Sequence, residues 1–426
     1  MNAVELMRAS FDAAVAAADP LRILAPHLPD PPRHRVLVVG AGKAAASMAL
    51  AVERAWPHVA LDGLVVTRYG HGAPTSRIRV VEAGHPVPDD AGGAAADEIL
   101  QLVSQLQPDD LLLVLISGGG SSLLTLPVPA VSIAALKSLT SAMLASGAPI
   151  GEMNIVRKHL SQIAGGRLAA AAAARGAHVV ALIISDVTGD APSDIASGPC
   201  APDPTTYRDA LEVLSRWNVA VPEEVTAWLQ RGANGDVPET PKPGDPLFTS
   251  VQNRVIATAH QSLEAAAGVF RRTSINAVIL GGTVTGEARD VAKVYAAIVR
   301  EIRARNQPFV PPVALISGGE CTVTLPPGTS GRGGRCTEFL LSLAIELDGI
   351  PGVHALACDT DGIDGSEDNA GAWFAYAPGA AAGDTGLKRK ALDQHDSYDF
   401  FSTTGQLIVT GPTRTNVNDF RVILIL

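Results

Sequence analysis

Cysteine is scarce in this chain: Cys200, Cys321, Cys336 and Cys358 lie far apart and form no C-x-x-C pair. That spacing argues against a disulfide scaffold and a structural zinc site, and it makes a reducing cytoplasm the expected location. Basic charge is short as well, with 33 Lys and Arg against 43 Asp and Glu, a net charge of −10. A balance of that sign speaks against nucleic acid or an anionic membrane as partner, while phosphorylated small molecules, held by local donors, stay open. Aromatics make up only 4% of the residues, so helices are expected to pack closely through alanine and other small side chains. No apolar run approaches the ~20 residues a membrane helix needs. The N-terminal stretch MNAVELMRASFDAAVAAADP carries Glu5, Asp12 and Asp19, which marks an amphipathic helix and not a signal peptide. The ten histidines show no H-E-x-x-H or other metal spacing, and no G-x-S-x-G follows a strand, so zinc chemistry and a serine-hydrolase elbow drop out.

Aliphatic runs, by contrast, recur throughout. Val-, Ile- and Leu-rich segments stand at 35–40, 62–67, 78–83, 111–117 and 178–185, then at 276–282, 312–319, 353–359, 406–411 and 421–426. Alternating with Ala/Leu-rich helical stretches, they predict parallel strands buried on both faces, an α/β layered fold. A chain of 426 residues is expected to divide into two domains. The stretch 231–250 holds four prolines and three glycines without periodicity and suits a linker. The expected division is an N-terminal domain over 1–235 with a mainly parallel, Rossmann-like sheet, a linker at 236–250, and a smaller α/β domain over 251–426.

Two buried strands end in the same five residues. LLLVLISGGGSSLL (111–124) and VALISGGECTVTL (313–325) both close on Leu-Ile-Ser-Gly-Gly. Beyond the carboxyl end of such a strand, successive glycine amides and a following helix start form an anion-holding concavity. This makes Ser117, Gly118, Gly119, Gly120, Ser121, Ser122, Gly318, Gly319 and Glu320 candidates for phosphate or carboxylate binding; the plainer alternative is a tight strand-to-helix turn. A third glycine turn, Gly40-Ala41-Gly42-Lys43, nearly fits the dinucleotide fingerprint, but the next strand ends in Thr67-Arg68 and not in a carboxylate. Arg68 leaves a reading open in which it accepts a 2′-phosphate. Lys43 stands where a phosphate-bridging amine would.

Acidic residues crowd two strand ends. Asp186, Asp190 and Asp194 precede Ser197-Gly198-Pro199, and CDTDGIDGSEDNAG (358–371) places Asp361 after another strand. Close carboxylates are tolerable beside a divalent cation or several backbone donors, and caps or turns are the alternative. Over 153–168 a helix is expected with Val156, Leu160 and Ile163 on its core face. Lys158 lies roughly opposite, on a face that is either solvated or ligand-lining. Arg335 follows two glycines, where its guanidinium fork suits a phosphoryl or carboxylate group.

Eight motifs, GAGKAAASMA, AGHPVPD, LISGGGSSLL, NIVRKHLSQIAGGRLA, SDVTGDAPSDIASGP, GGRCTEF, DTDGIDG and GPTRTNVND, run in order from about residue 5 to the C-terminus. Together they resemble the bacterial glycerate 2-kinase family, whose second domain is called MOFRL and whose members have also been labelled hydroxypyruvate reductases. The resemblance implies ATP- and Mg²⁺-dependent phosphorylation of D-glycerate to 2-phosphoglycerate in an interdomain cleft. It also implies Lys43 and Arg335 as active-site cations. Relatives read Gly-Gly-Arg-Asn-Gln-Glu where this chain has Cys336-Thr337 in the middle of the motif. On this reading Asp186 and Asp190 ligate Mg²⁺ or orient the substrate hydroxyl, with Asp361 as an alternative, and Lys158 takes the substrate carboxylate. Gly42, Ser197 and Gly198 line the site. The alternatives are an NAD(P)H-dependent hydroxypyruvate reductase and a non-catalytic sugar-phosphate-binding protein; a monomer or homodimer is expected.

Overall fold

The computed structural model describes residues 1–326, 328–348, 350–376 and 385–426. They pack as two units, Pro20–Ile256 on the one hand and Met1–Asp19 with Ala257–Leu426 on the other.

In Pro20–Ile256 the apolar runs become β1 (Val36–Ala41), β2 (Leu61–Arg68), β3 (Ile78–Ala83), β4 (Leu111–Ile116) and β5 (His178–Ile184), with β6 (Val251–Ala257) at the edge. The order across the sheet is β3-β2-β1-β4-β5-β6. All pairs from β3 to β5 run parallel. Helices cover the sheet because each carries one apolar face: Ile99 and Val103 of the helix Asp90–Ser104 pack on Leu37, Val39, Leu112 and Val114. Asp89 starts that helix by accepting the Gly92 N–H at 3.0 Å. A further helical group, Ile133–Ser146, Ile150–His159, Tyr207–Arg216 and Glu223–Ala233, shares a cluster containing Leu139, Val156, Tyr207 and Leu229. The chain lays strands on one side of β1, then returns to β4 on the other. Between these two strands the order reverses, and in open α/β sheets this is where ligands bind.

The other unit has β7 (Asn276–Gly281), β8 (Val313–Gly319), β9 (Val353–Asp359), β10 (Gly371–Ala375), β11 (Leu407–Ile408) and β12 (Asp419–Ile425), in the order β11-β10-β9-β12-β8-β7. Among the described strands β7 and β8 pair in parallel and the other pairs are antiparallel. The expectation of parallel strands fails here for a clear reason. Continuous apolar character reports burial on two faces, and both are covered: by Ala3–Ala16 with Ala259–Arg271 on one, and by Ala288–Arg305 with Arg335–Glu346 on the other. Either strand direction satisfies that.

The division by packing also differs from the expected 1–235, 236–250 and 251–426. Leu6, Met7, Phe11 and Ala14 on the first helix are buried against Leu263, Phe270, Leu356 and Phe420, so the N-terminus belongs with the C-terminal sheet. The proline-rich stretch is part of the first unit: Thr240 Oγ1 donates to Asp203 Oδ2 at 3.1 Å, and Asp203 N–H donates to the Pro241 carbonyl at 2.8 Å. No helix among the described residues is long and apolar enough to cross a membrane. All four cysteines are free and buried.

The Phe11 ring, 1% exposed and 5.9 Å from that of Phe420, is the largest apolar side chain the first helix contributes. Phe11→Ala is expected to destabilise the C-terminal unit by about 3–5 kcal/mol, the range for emptying a buried aromatic site. Thermal melts followed by circular dichroism measure it, and an unchanged melting temperature would refute this anchoring.

Candidate active site

Two loops interlock where the strand order of the first unit reverses. Gly42 has φ +135°, and a Cβ there would overlap Ser117 Oγ, so only glycine lets the turn after β1 lie on the turn after β4. Buried Ser117 accepts the Ala44 N–H at 2.9 Å, and the Gly118 carbonyl accepts the Lys43 N–H at 2.9 Å. Ser117 and Gly118 thus brace the turn that carries Lys43. Gly119 and Gly120 then lead into a single helical turn, Gly120–Leu123, too short to supply the dipole expected of a helix start. Ser122 Oγ donates to the Gly119 carbonyl at 3.1 Å, and Ser121 Oγ lies 2.9 Å from Ser197 Oγ.

His85 packs over this turn, its ring 2.8 Å from where a Gly119 Cβ would sit. Burial, and then the charges of Lys43, Arg68 and His71, push its pKa down to about 3. The imidazole is therefore neutral at physiological pH. A place where cations oppose a further proton is one where an anion is welcome. Lys43 from β1 and Arg68 from β2 were legible in the sequence. His85 was missed; its signal was a histidine just after β3, a strand neighbouring β2.

The loop after β5 carries the remaining expected residues of this unit. Ala196, Ser197 and Gly198 have φ of 52°, 58° and 62°. For Ala and Ser this left-handed backbone is costly and persists only where neighbours hold it. Here the carbonyls of Ser197 and Gly198 accept the N–H groups of Gly165 and Gly166 at 2.9 and 2.7 Å. The result presents Ser197 Oγ to Asn154 Oδ1 at 3.2 Å. Asp186 and Asp190 are half-buried on the same loop, Asp190 with φ +53°. Asp194 leaves them, its carboxylate 3.6 Å from Lys158 Nζ. Among the described residues no three His, Cys, Asp or Glu side chains are grouped to hold a metal ion. Asp186 and Asp190 offer carboxylate oxygens on one loop, the donor type that Mg²⁺ takes.

The helix expected over 153–168 ends earlier, at His159, and the chain bends through 160–166 before the next helix. Lys158 is 2% exposed, which excludes a solvated face. Its charge is met by Asp203 at 3.5 Å and Asp194 at 3.6 Å. Burial works against ionised Asp203, but Lys158 and the Thr205 donors outweigh it and keep its pKa low.

In the other unit the second Ser-Gly-Gly is built differently. Gly318 and Gly319 are buried within β8, and at φ +110° a Gly319 Cβ would overlap the Val284 backbone. The Gly318 carbonyl accepts from Val284 N–H at 3.3 Å and Arg421 Nη1 at 3.1 Å. These glycines serve close packing, and the expected open lip at Gly318-Gly319 is absent. Chemistry gathers beside them. The β9–β12 register sets Asp359 opposite Asp419, and facing carboxylates repel unless cations intervene. Arg335 Nη2 lies 2.7 Å from Asp359 and 3.2 Å from Asp419, Arg421 Nη2 lies 2.5 Å from Asp419, and Arg335 also pairs with exposed Glu320. Burial disfavours the Arg335 charge, yet Asp419, Asp359 and Glu320 outweigh it and raise the pKa. Buried Asp361 accepts the Ile363 N–H at 2.8 Å. Glu338 is a structural partner, within 2.6 Å of Arg289 and 3.1 Å of His395. Cys336 and Thr337 are both buried, so the departure from Asn-Gln is accommodated inside the unit.

Asp364 holds the start of the Arg335 helix, accepting the N–H groups of Cys336 and Thr337 at 2.9 and 2.8 Å. Burial raises its pKa to about 6. Because the folded value exceeds the ordinary one, its stabilisation is full below about pH 4 and is lost as pH rises through 6, an effect on the order of 3 kcal/mol at most. Melting temperatures between pH 4 and 7 should therefore fall more steeply for the wild type than for Asp364→Asn. Parallel curves would show that Asp364 does not titrate there.

Known proteins resemble this chain over nearly its whole length. A family profile described as a domain of unknown function, DUF4147, matches residues 6–230, and that of the MOFRL family matches 313–419. A relative from Agrobacterium vitis with the provisional name hydroxypyruvate reductase is 50% identical over 426 residues, covering 100% of this chain and 95% of the relative. A D-glycerate 2-kinase of Thermotoga maritima is 39% identical over 432 residues, covering 99% and 97%. The crystal structure of a glycerate kinase from Thermotoga maritima matches with a TM-score of 0.82 at 38% identity, covering 100% of this chain and 98% of that one. With its motifs, its two α/β units and its matches spanning nearly the full length, the chain belongs to the glycerate 2-kinase family, which joins a DUF4147 region to a MOFRL domain.

Proposed function

We propose that this protein is a glycerate 2-kinase that moves the terminal phosphoryl group of ATP to the 2-hydroxyl of D-glycerate. The observation that carries the reading is the glycine-braced turn at the point of strand reversal, where Lys43 and Arg68 converge on a neutral His85. Phosphoryl transfer asks little covalent help of a protein; it needs the reactants positioned and the negative charge of the moving group met. Lys43 supplies that charge from a backbone fixed by Gly42 and Ser117. The Ser117 N–H donates to the Ala41 carbonyl and the Gly120 N–H to the Ser117 carbonyl, so the amides of Gly118 and Gly119 are the donors this turn offers a phosphate. Asp186 and Asp190 would hold Mg²⁺, which when bound offsets charge on the phosphate oxygens. Arg335, fixed by Asp359 and Asp419, is the second cation proposed to act. The name of the Thermotoga maritima relative supports this substrate.

The name of the Agrobacterium vitis relative points instead to a reductase. The glycine turn after β1 counts against that. Gly40 is closed over by Leu115 and Gly42 by Ser117, and β2 ends in Thr67-Arg68 with no carboxylate for a ribose hydroxyl.

ADP release from ATP and Mg²⁺ with D-glycerate, with the product phosphate located by ³¹P NMR, tests the proposal; 2-phosphoglycerate is expected. Oxidation of NADH or NADPH by hydroxypyruvate without ADP release would replace it with the reductase, and ligand binding without turnover would leave a sugar-phosphate-binding protein. Lys43→Ala is expected to lower kcat by about 10²–10³-fold with an unchanged melting temperature. Arg335→Ala should lose activity and stability together, since Asp359 and Asp419 are then left opposed. Wild-type turnover in either variant would remove that residue from the reaction.

A further inference from the structure

Beside the serines of the β4 turn the first unit encloses a cavity of about 50 Å³. Its lining has two cations, Arg157 and Lys137, and six hydroxyl residues, Ser121, Ser122 and Ser197 among them, with apolar walls that include Leu136 and Leu160. No Asp or Glu lines it, in a chain whose net charge is −10. Among the described residues the Arg157 guanidinium makes one hydrogen bond, from Nη1 to the neutral Asn154 Oδ1 at 3.3 Å, and has no carboxylate partner. Burial alone lowers its pKa. A guanidinium offers five donors. Arg157 is half-buried, and a guanidinium partly removed from water without a counter-charge favours the arrival of an anion.

We propose that Arg157 binds the carboxylate of the hydroxy-acid substrate in this cavity, a role that rests on the kinase reading above. Lys158, next in the chain and expected to hold that carboxylate, is already neutralised by Asp203 and Asp194. Size favours a carboxylate over a nucleotide: one water needs roughly 10–15 Å³ by this measure, so the cavity takes about four such groups, enough for a carboxylate and its neighbouring carbon. Shape favours it too, because the planar fork matches a carboxylate through two parallel hydrogen bonds, strengthened by the apolar walls. A relay from Arg157 through Asn154 Oδ1 and Ser197 Oγ to Ser121 Oγ, with steps of 3.3, 3.2 and 2.9 Å, ties the guanidinium to the turn beside Lys43. The left-handed backbone at 196–198 is what delivers the middle link. Anchoring the carboxylate fixes the adjacent C2 hydroxyl one carbon away, which is the hydroxyl the proposed reaction uses.

Arg157→Met and Arg157→Lys, assayed for ADP release over ranges of D-glycerate and ATP, test this. The KM for D-glycerate should rise about 30- to 100-fold in Arg157→Met, and by less in Arg157→Lys, with the KM for ATP unchanged. The melting temperature of Arg157→Met should equal or exceed that of the wild type, since an uncompensated charge is removed. An unchanged KM for D-glycerate, a rise in the KM for ATP instead, or a collapse of stability in both variants would overturn the assignment. If the wild type releases no ADP, it is the kinase reading that fails. The cavity is then judged by calorimetric titration of D-glycerate, with glycerol as control and ADP present: binding to the wild type that Arg157→Met abolishes upholds it, and equal binding to both, or none to either, refutes it.

Discussion

The contact between Gly42 and Ser117 is the constraint on which the rest of the first unit's site depends. Two adjacent parallel strands, β1 and β4, end at the same level, and the chain must leave both in opposite directions across the sheet. Their turns would collide if either carried bulk at the crossing. Glycine at 42 removes the Cβ, and the Ser117 hydroxyl fills the space and accepts the Ala44 amide. That single fit places the neighbouring groups. Lys43 is pinned through its own backbone N–H, Gly119 is brought under the His85 ring, and Ser121 meets Ser197 of the strained loop at 196–198. An electrostatic site needs donors that do not reorganise when charge arrives, and backbone held by a steric fit meets that need better than side chains on a free loop.

Charge is distributed by the same economy. A buried ion is tolerable when paired and expensive when not. Lys158, Arg335 and Arg421 each have carboxylates within reach, so each is satisfied by the fold itself. Arg157 is not, and His85 gives up its proton among Lys43, Arg68 and His71. A protein that is acidic as a whole still gathers positive charge locally, with Arg157 and Lys137 on one cavity that no Asp or Glu lines. That local surplus, and not net charge, selects the ligand class.

Much of the architecture was written in the sequence. Every aliphatic run became a strand, because burial on two faces demands continuous apolar character and little else does. The two strands that escaped, β6 and β10, have polar or small residues that break such a run. The assignment of the first helix to the C-terminal unit was not legible, since its apolar face specifies a covering surface without naming one. Site residues divide along the same line. Lys43 and Gly42 were legible because their neighbours in sequence are their neighbours in space. On the helix Ile150–His159 the sequence reading singled out Lys158 and passed over its neighbour Arg157. Their difference lies in Asp203, 45 residues further on, which meets the lysine and leaves the arginine to the cavity.

The repeated Leu-Ile-Ser-Gly-Gly shows how far a motif can carry chemistry. After β4 its Ser-Gly-Gly end enters a turn, and the glycines allow a second loop and a histidine ring to approach. Within β8 the same residues stay in the strand, and the glycine Cβ is excluded by the backbone around Val284. Glycine in both places answers the same demand, the close approach of another chain segment. Only in the first does that approach leave cations and hydroxyls facing a cavity. Identical letters therefore fix the steric requirement and not the function. Function is settled by which charges the surrounding strands deliver, and in the second unit those charges are carboxylates already matched to Arg335 and Arg421.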